Sequence, residues 1–246
     1  ISMIARVRQS AADEMHDAGL SILLADEGGL SPGYRSAEEA LELMMRAIVR
    51  AGFEPGRQVA IALDVAASEL IGDRGTYRLA GEGRTLDGPA MVAYIADLCR
   101  RYPVVSVEDP LAEDDWVHWR QFTGDVRTQI IGDDLFVTNA ARIADGINKG
   151  AANGVLIKLN QNGTLTGTLD AMALARRAGY ATVVSARSGE TEDAFMSDFA
   201  VATGAGQIKI GSLRNSERLA KYNQLLRIAE DTAIPFAGAA ALAGQR

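Results

Sequence analysis

The chain has 246 residues, 48% of them hydrophobic, and carries a formal net charge of −7. That length can enclose one substantial core, and the acidic balance argues against nucleic acid or an anionic membrane as a bulk partner while leaving room for a local basic pocket. One cysteine, Cys99, excludes a disulfide framework and fits a reducing, cytoplasmic setting, and no apolar run approaches the ~20 residues of a membrane span.

The opening segment ISMIARVRQS lacks both a signal-peptide core and an initiator methionine, so we expect the chain to continue upstream. A helical pattern, MIARVRQSAADEMHDAG, comes first, and ILLADEGG follows as an expected strand. In SAEEALELMMRAIVRAGF apolar residues recur at helical spacing, Ser36 and Glu39 form a capping box, and Gly52 marks the stop. Val59–Leu63 reads as a short apolar strand, and GDRGTYRLAGEGR as a polar turn whose GEGR is too weak a signal for phosphate binding. The helix PAMVAYIADLCRRY takes Cys99 as core filler. Strand and helix then alternate: PVVSVEDPL, DDWVHWRQF, TQIIGDDLF, NAARIADGINKG, GVLIKLNQ, TLDAMALARRAG, ATVVSARSG, DAFMSDFAVATGAG, QIKIGSL and SERLAKYNQLLRIAE. The small-residue tail, 233–246, is expected to be loosely held.

Alternating strand and helix units with nearly unbroken apolar strands predict an α/β fold with a parallel sheet covered by helices. The options are a doubly wound sheet or a (β/α) barrel. The absence of a glycine-rich fingerprint after an early strand weakens the first.

The strand ends carry charge. Asp26 and Glu27, Asp64, Glu108 and Asp109, and Asp133 and Asp134 close successive strands; Lys158, then Ser185, Arg187 and Ser188, then Lys209 close the next three. A carboxylate after a strand is usually a helix cap or a solvated loop residue. Sorting by sign is not what scattered caps would produce, and a barrel gathers strand ends on one face. Three converging carboxylates suit a hard divalent cation such as Mg²⁺. The only two histidines, His16 and His118, lie in helical patterns, which argues against zinc. Lys158, Arg187 and Lys209 would form an anion site facing the metal. Burial and like charge would lower the proton affinity of Lys158, making it a general base toward a proton next to a carboxylate, with Glu27 as the acid opposite.

The segments LADEGGLSPG, VAIALDVAASEL, VVSVEDPLAEDDW, GDDLFVTN, LIKLNQNGTLTGTL, SARSGETEDAF, AGQIKIGS and SERLAKYNQLLRI closely resemble, in order and spacing, successive motifs of the enolase family. The resemblance implies a (β/α)8-type barrel over residues 1–232, incomplete at its N-terminal side. The implied activity is that of a hydro-lyase, the Mg²⁺-dependent dehydration of 2-phosphoglycerate to phosphoenolpyruvate. On it, Asp64, Glu108 and Asp133 hold the metal, with Asp134 as substitute for Asp133. Lys158 is the base and Glu27 the proton donor to the leaving hydroxyl. Arg187, Ser188 and Lys209 bind phosphate and carboxylate, and Ser185 lines the pocket. Family members are typically cytoplasmic homo-oligomers.

Two departures accompany the resemblance. The family's N-terminal domain and first barrel strands have no counterpart here, and a chain limited to these residues is expected to show little turnover. The family's SHRSGETED also reads SARSGETED, so Ala186 stands where a substrate-contacting histidine is expected. Ile210 replaces a threonine and Asn162 an isoleucine. These changes imply either ordinary enolase activity in a drifted or impaired copy, or an altered substrate. The latter would be a glycerate with a larger phosphorus substituent, as for enolase-like enzymes of phosphonate pathways such as carboxyphosphonoenolpyruvate synthase.

Overall fold

Ser36 Oγ accepts the amide of Glu39 at 3.1 Å, so the expected Ser36 cap starts its helix, while the Glu39 carboxylate reaches one residue past the cap to the amide of Arg35 at 2.8 Å rather than to that of Ser36. The structure is a computed structural model and describes residues 1–242; the last four residues of the expected tail lie outside it. In chain order the elements are helices α1 (Ser2–Asp17) and α2 (Ala37–Arg50), strand β1 (Ile61–Asp64), and the hairpin β2 (Tyr77–Leu79) and β3 (Arg84–Leu86). Then come α3 (Gly88–Arg101), β4 (Val104–Glu108), α4 (Trp116–Asp125), β5 (Gln129–Gly132), α5 (Ala140–Lys149), β6 (Gly154–Ile157) and α6 (Leu159–Asn162). The series closes with α7 (Leu165–Arg177), β7 (Ala181–Ser185), α8 (Phe195–Ala202), β8 (Gly206–Lys209) and α9 (Ser216–Asp231). None of the described helices is long and apolar enough to cross a membrane.

The chain divides into two compact units. One comprises Ile61–Val184 with Ala205–Gln207 and the segment from Ala237. Its sheet runs in the order β1-β4-β5-β6-β7-β8, and the pairs from β1 to β7 are parallel. Strands β5 and β6 are buried along their whole length, which is why they read as apolar runs rather than alternations. Ile131, Leu156 and Val183 pack together from three neighbouring strands. Each such side chain contributes about 1.5–3 kcal/mol on burial. Near the strand starts, Gln129 and Gln207 exchange amide hydrogen bonds of 2.8 Å. These residues sit on β5 and β8, three strands apart, or about 14 Å in a flat sheet. Their side chains can meet only because the sheet curls, as a barrel sheet does.

The other unit comprises Ile1–Ala60, Ser185–Gly204 and Ile208–Phe236. Here α1 packs on α2 through Ala11, Met15, Leu43 and Ala47, with Leu20, Leu30 and Tyr34 against them. The expected strand ILLADEGG is not one. Leu24 pairs with Leu30 across a tight turn in which the amide of Gly28 donates to the carbonyl of Ala25 at 2.8 Å. Ile22 and Leu23 are 52% and 75% exposed. An apolar run becomes a strand only when a neighbouring backbone completes its hydrogen bonds.

Candidate active site

The parallel register brings two carboxylates side by side. Asp64 and Glu108 are the last residues of β1 and β4 and face each other as register partners; Ile131 of β5 is the next partner along. Asp133 directly follows β5, and Lys158 directly follows β6. Adjacent parallel strands thus present acid, acid, acid and base at one end.

Lys158 Nζ lies 2.5 Å from Asp133 Oδ2, and both side chains are largely shielded from solvent. Such charge-assisted contacts are short and directional. The second oxygen, Asp133 Oδ1, is buried and has no hydrogen-bond partner. A buried acceptor left unsatisfied costs about 1–3 kcal/mol, more when charged, and calls for a missing partner. Carboxylate oxygens of Asp109, Asp133 and Asp134 lie within 4.8 Å of one another. An all-oxygen donor set with an orphaned carboxylate oxygen fits a hard divalent cation.

Asp133 is the member common to this cluster and to the expected set of Asp64, Glu108 and Asp133. Asp64 is nevertheless close enough that its charge, with those of Asp133 and Glu69, raises the Asp134 carboxyl. Burial is the larger cause of that rise, and Lys158 opposes it. Asp109 has a different duty. Its Oδ1 and Oδ2 accept the amides of Asp133 and Asp134 at 2.9 and 2.8 Å. Burial pushes its carboxyl up to about 7 against the pull of those two bonds, with the neighbouring aspartates adding to the rise.

The turn after β5 is strained. Val137 and Thr138 adopt φ of 43° and 51°, a region β-branched residues rarely enter. Thr138 is held there from several sides. Its Oγ1 accepts the amide of Lys158 at 3.0 Å and donates to Gln161 Oε1 at 2.9 Å, and its carbonyl accepts Asn162 Nδ2 at 3.0 Å. Asn162, a departure from the family pattern, therefore ties α6 to the loop that carries Asp133. An isoleucine could not make that bond.

The remaining expected site residues belong to the other unit. Glu27 is half-buried in its turn; its Oε1 accepts the hydroxyl of Ser188 at 3.3 Å and its carbonyl the amide of Ser212 at 2.9 Å. Arg187 and Ser188 are exposed, and the Arg187 amide donates to Glu190 Oε1 at 3.1 Å. Lys209 ends β8, and its carbonyl accepts the amide of Ala186 at 2.9 Å. Ser185 is buried and its hydroxyl donates to the carbonyl of Ala186 at 2.9 Å. Ala186 and Ile210, the other two departures, are 6% and 2% exposed.

Asp109, Thr138, Glu190, Arg218 and Lys221 take roles in the folded chain that their sequence positions do not announce. Asp109 had a signal in its position beside Glu108 at a strand end, but the amides it would hold were not foreseeable. The family model for the enolase C-terminal TIM barrel domain matches residues 8–245.

Proposed function

Since this chain is a member of the enolase C-terminal TIM barrel family, we propose that it dehydrates 2-phosphoglycerate to phosphoenolpyruvate with Mg²⁺ as cofactor. The observation that supports this most is the 2.5 Å contact between Lys158 and Asp133, with the second Asp133 oxygen buried and unpartnered. Asp64, Glu108 and Asp133 would hold the cation, with Asp134 beside them. When bound, Mg²⁺ would stabilise the second negative charge that builds on the substrate carboxylate. Lys158, as the amine, takes the proton α to that carboxylate. Glu27 donates a proton to the 3-hydroxyl, which leaves as water. Arg187, Ser188 and Lys209 bind the phosphate and carboxylate, with Ser185 supporting them. A cytoplasmic homo-oligomer fits the same reading.

Exchange of the α-proton with deuterium oxide, followed alongside formation of the enol phosphate, tests these roles in the intact protein. Lys158→Ala should lose both exchange and product. Glu27→Gln should lose product while keeping exchange. Exchange surviving in Lys158→Ala would exclude Lys158 as the base.

A second reading draws on Ala186 and Ile210. Both are buried beside Lys209, so the expected imidazole and hydroxyl are replaced by apolar groups next to an anion-binding lysine. The methyl of Ala186 would leave the space of the expected imidazole to a glycerate bearing a bulkier phosphorus substituent, as in phosphonate biosynthesis, whereas Ile210 is larger than threonine and adds none. Efficient turnover of 2-phosphoglycerate with rejection of the bulkier analogue would exclude it. Magnesium-dependent thermal stabilisation without turnover of either would indicate a catalytically impaired protein.

A further inference from the structure

Helix α9 carries two cations that solvent does not reach: Arg218 and Lys221 are both 0% exposed. Three residues apart, they share one face of the helix. Burying charge is costly, and apolar residues of similar size often stabilise a fold as well or better, so such residues are weak evidence of a stability role. What they hold is more informative.

Arg218 donates from Nη1 to the carbonyl of Ile210 at 3.0 Å and from Nη2 to the carbonyl of Ser188 at 2.8 Å. Lys221 Nζ donates to the carbonyl of Thr191 at 2.5 Å and pairs with Glu190 Oε2 at 3.1 Å. The other oxygen of Glu190 accepts the amide of Arg187. One helix face thus grips the loop 187–191 at residues 188, 190 and 191, and grips the chain one residue beyond Lys209. The grip extends to Glu27. Ser188 Oγ donates to its carboxylate, and a Cβ at Gly211 would lie 3.1 Å from both Arg218 Cδ and the Glu27 carbonyl.

We propose that Arg218 and Lys221 are positioning residues for substrate-anion binding. They set the backbone from which Arg187, Ser188 and Lys209 receive the anionic groups, and through Ser188 they orient Glu27. The inference rests on the assignment of Arg187, Ser188 and Lys209 as the anion site. Lys221→Met removes the ammonium at similar length, and Arg218→Lys keeps charge but loses the two-pronged geometry.

The test uses the intact protein below the melting temperature of each variant. Calorimetry gives the Kd of inorganic phosphate, steady-state kinetics gives KM and kcat for 2-phosphoglycerate with Mg²⁺, and a magnesium-dependent melting shift reports on the acidic cluster. Small displacements of binding groups can cost up to about a hundredfold. We expect phosphate Kd and KM to rise about tenfold or more, kcat to fall less, and the magnesium shift to persist. Lys221→Arg should restore part of the phosphate affinity. Lower melting temperatures with unchanged Kd and KM would overturn the proposal, leaving the two cations merely structural. If the unaltered protein binds phosphate but does not dehydrate 2-phosphoglycerate, the proposed reaction fails and the Kd comparison alone decides this inference. Absence of phosphate binding in the unaltered protein would overturn it together with the anion-site assignment. Should the α9 variants not fold, Glu190→Gln, which weakens the grip from the loop side, is read in the same way.

Discussion

The carboxylate of Asp109 holds the backbone of Asp133: its Oδ1 accepts the Asp133 amide at 2.9 Å, while Oδ2 takes the amide of Asp134 at 2.8 Å. Asp109 is itself at φ 41°, and its amide and carbonyl bond to Ile131 and Ala67. One side chain therefore fixes the direction in which Asp133 meets Lys158. In Asp109→Asn, one amide would face the new NH₂ donor rather than an oxygen. We expect a loss of about 1–3 kcal/mol in unfolding free energy, measured by urea denaturation, together with weaker magnesium-dependent stabilisation. A variant as stable and as responsive to magnesium as the parent would remove this role.

The raised Asp109 carboxyl predicts a pH dependence of defined sign. In the unfolded chain it ionises near its ordinary value of about 3.9, whereas in the folded state it keeps its proton up to about 7. The folded state binds more protons between these values. The resulting stabilisation is complete below about pH 4 and is lost as pH rises through about 7. In buffer containing a chelator, the stability of the parent relative to Asp109→Asn should therefore fall across that window. Carboxylates that are lowered by surface arginines, such as Glu14 and Asp97, are common to both proteins and cancel in the difference. Parallel pH profiles for the two proteins would contradict the assignment.

Magnesium should raise the melting temperature in a saturable way, because a ligand that binds only the folded state stabilises it by about 2.7 kcal/mol at a hundred times its Kd. Asp133→Asn should abolish most of that effect. Lys158→Met should not: it removes the ammonium that now occupies Asp133 Oδ2, so cation affinity should hold or increase even as dehydration is lost. Parallel loss of magnesium binding in both variants would show that Lys158 supports the cation rather than competing for the carboxylate.

Gly132 leaves no room for a side chain. A Cβ there would fall 2.5 Å from the ring of Phe136, which is fully buried. Gly132→Ala must displace either the ring or the turn that carries Asp133. We expect a cost of about 1–3 kcal/mol by chemical denaturation, and partial rescue when Phe136→Leu removes the obstructing ring edge. Additive effects in the double variant would mean that the strain is absorbed elsewhere.

Much of this molecule was readable along the chain. Unbroken apolar runs such as those around Ile130 and Leu156 marked parallel strands, because a strand covered on both faces has no polar side to show. The Ser36 cap was equally local, since its partners lie within four residues. ILLADEGG misled for the same reason in reverse: its apolarity is local, but a strand requires a neighbour, and Leu24 meets only Leu30 across a turn among the described residues.

The linear order of residues determined the alternation of strands and helices and put a carboxylate or lysine after successive strands. Folding decided which groups answer one another. Parallel register sets Asp64 beside Glu108, the curl of the sheet lets Gln129 reach Gln207, and Asp109 is committed to two backbone amides. The buried grip of Arg218 and Lys221 on a loop some 30 residues away in sequence is of the same kind. Hydrogen bonds depend on distances of a few ångströms between atoms brought together by distant parts of the chain, and residue type and spacing do not encode those distances.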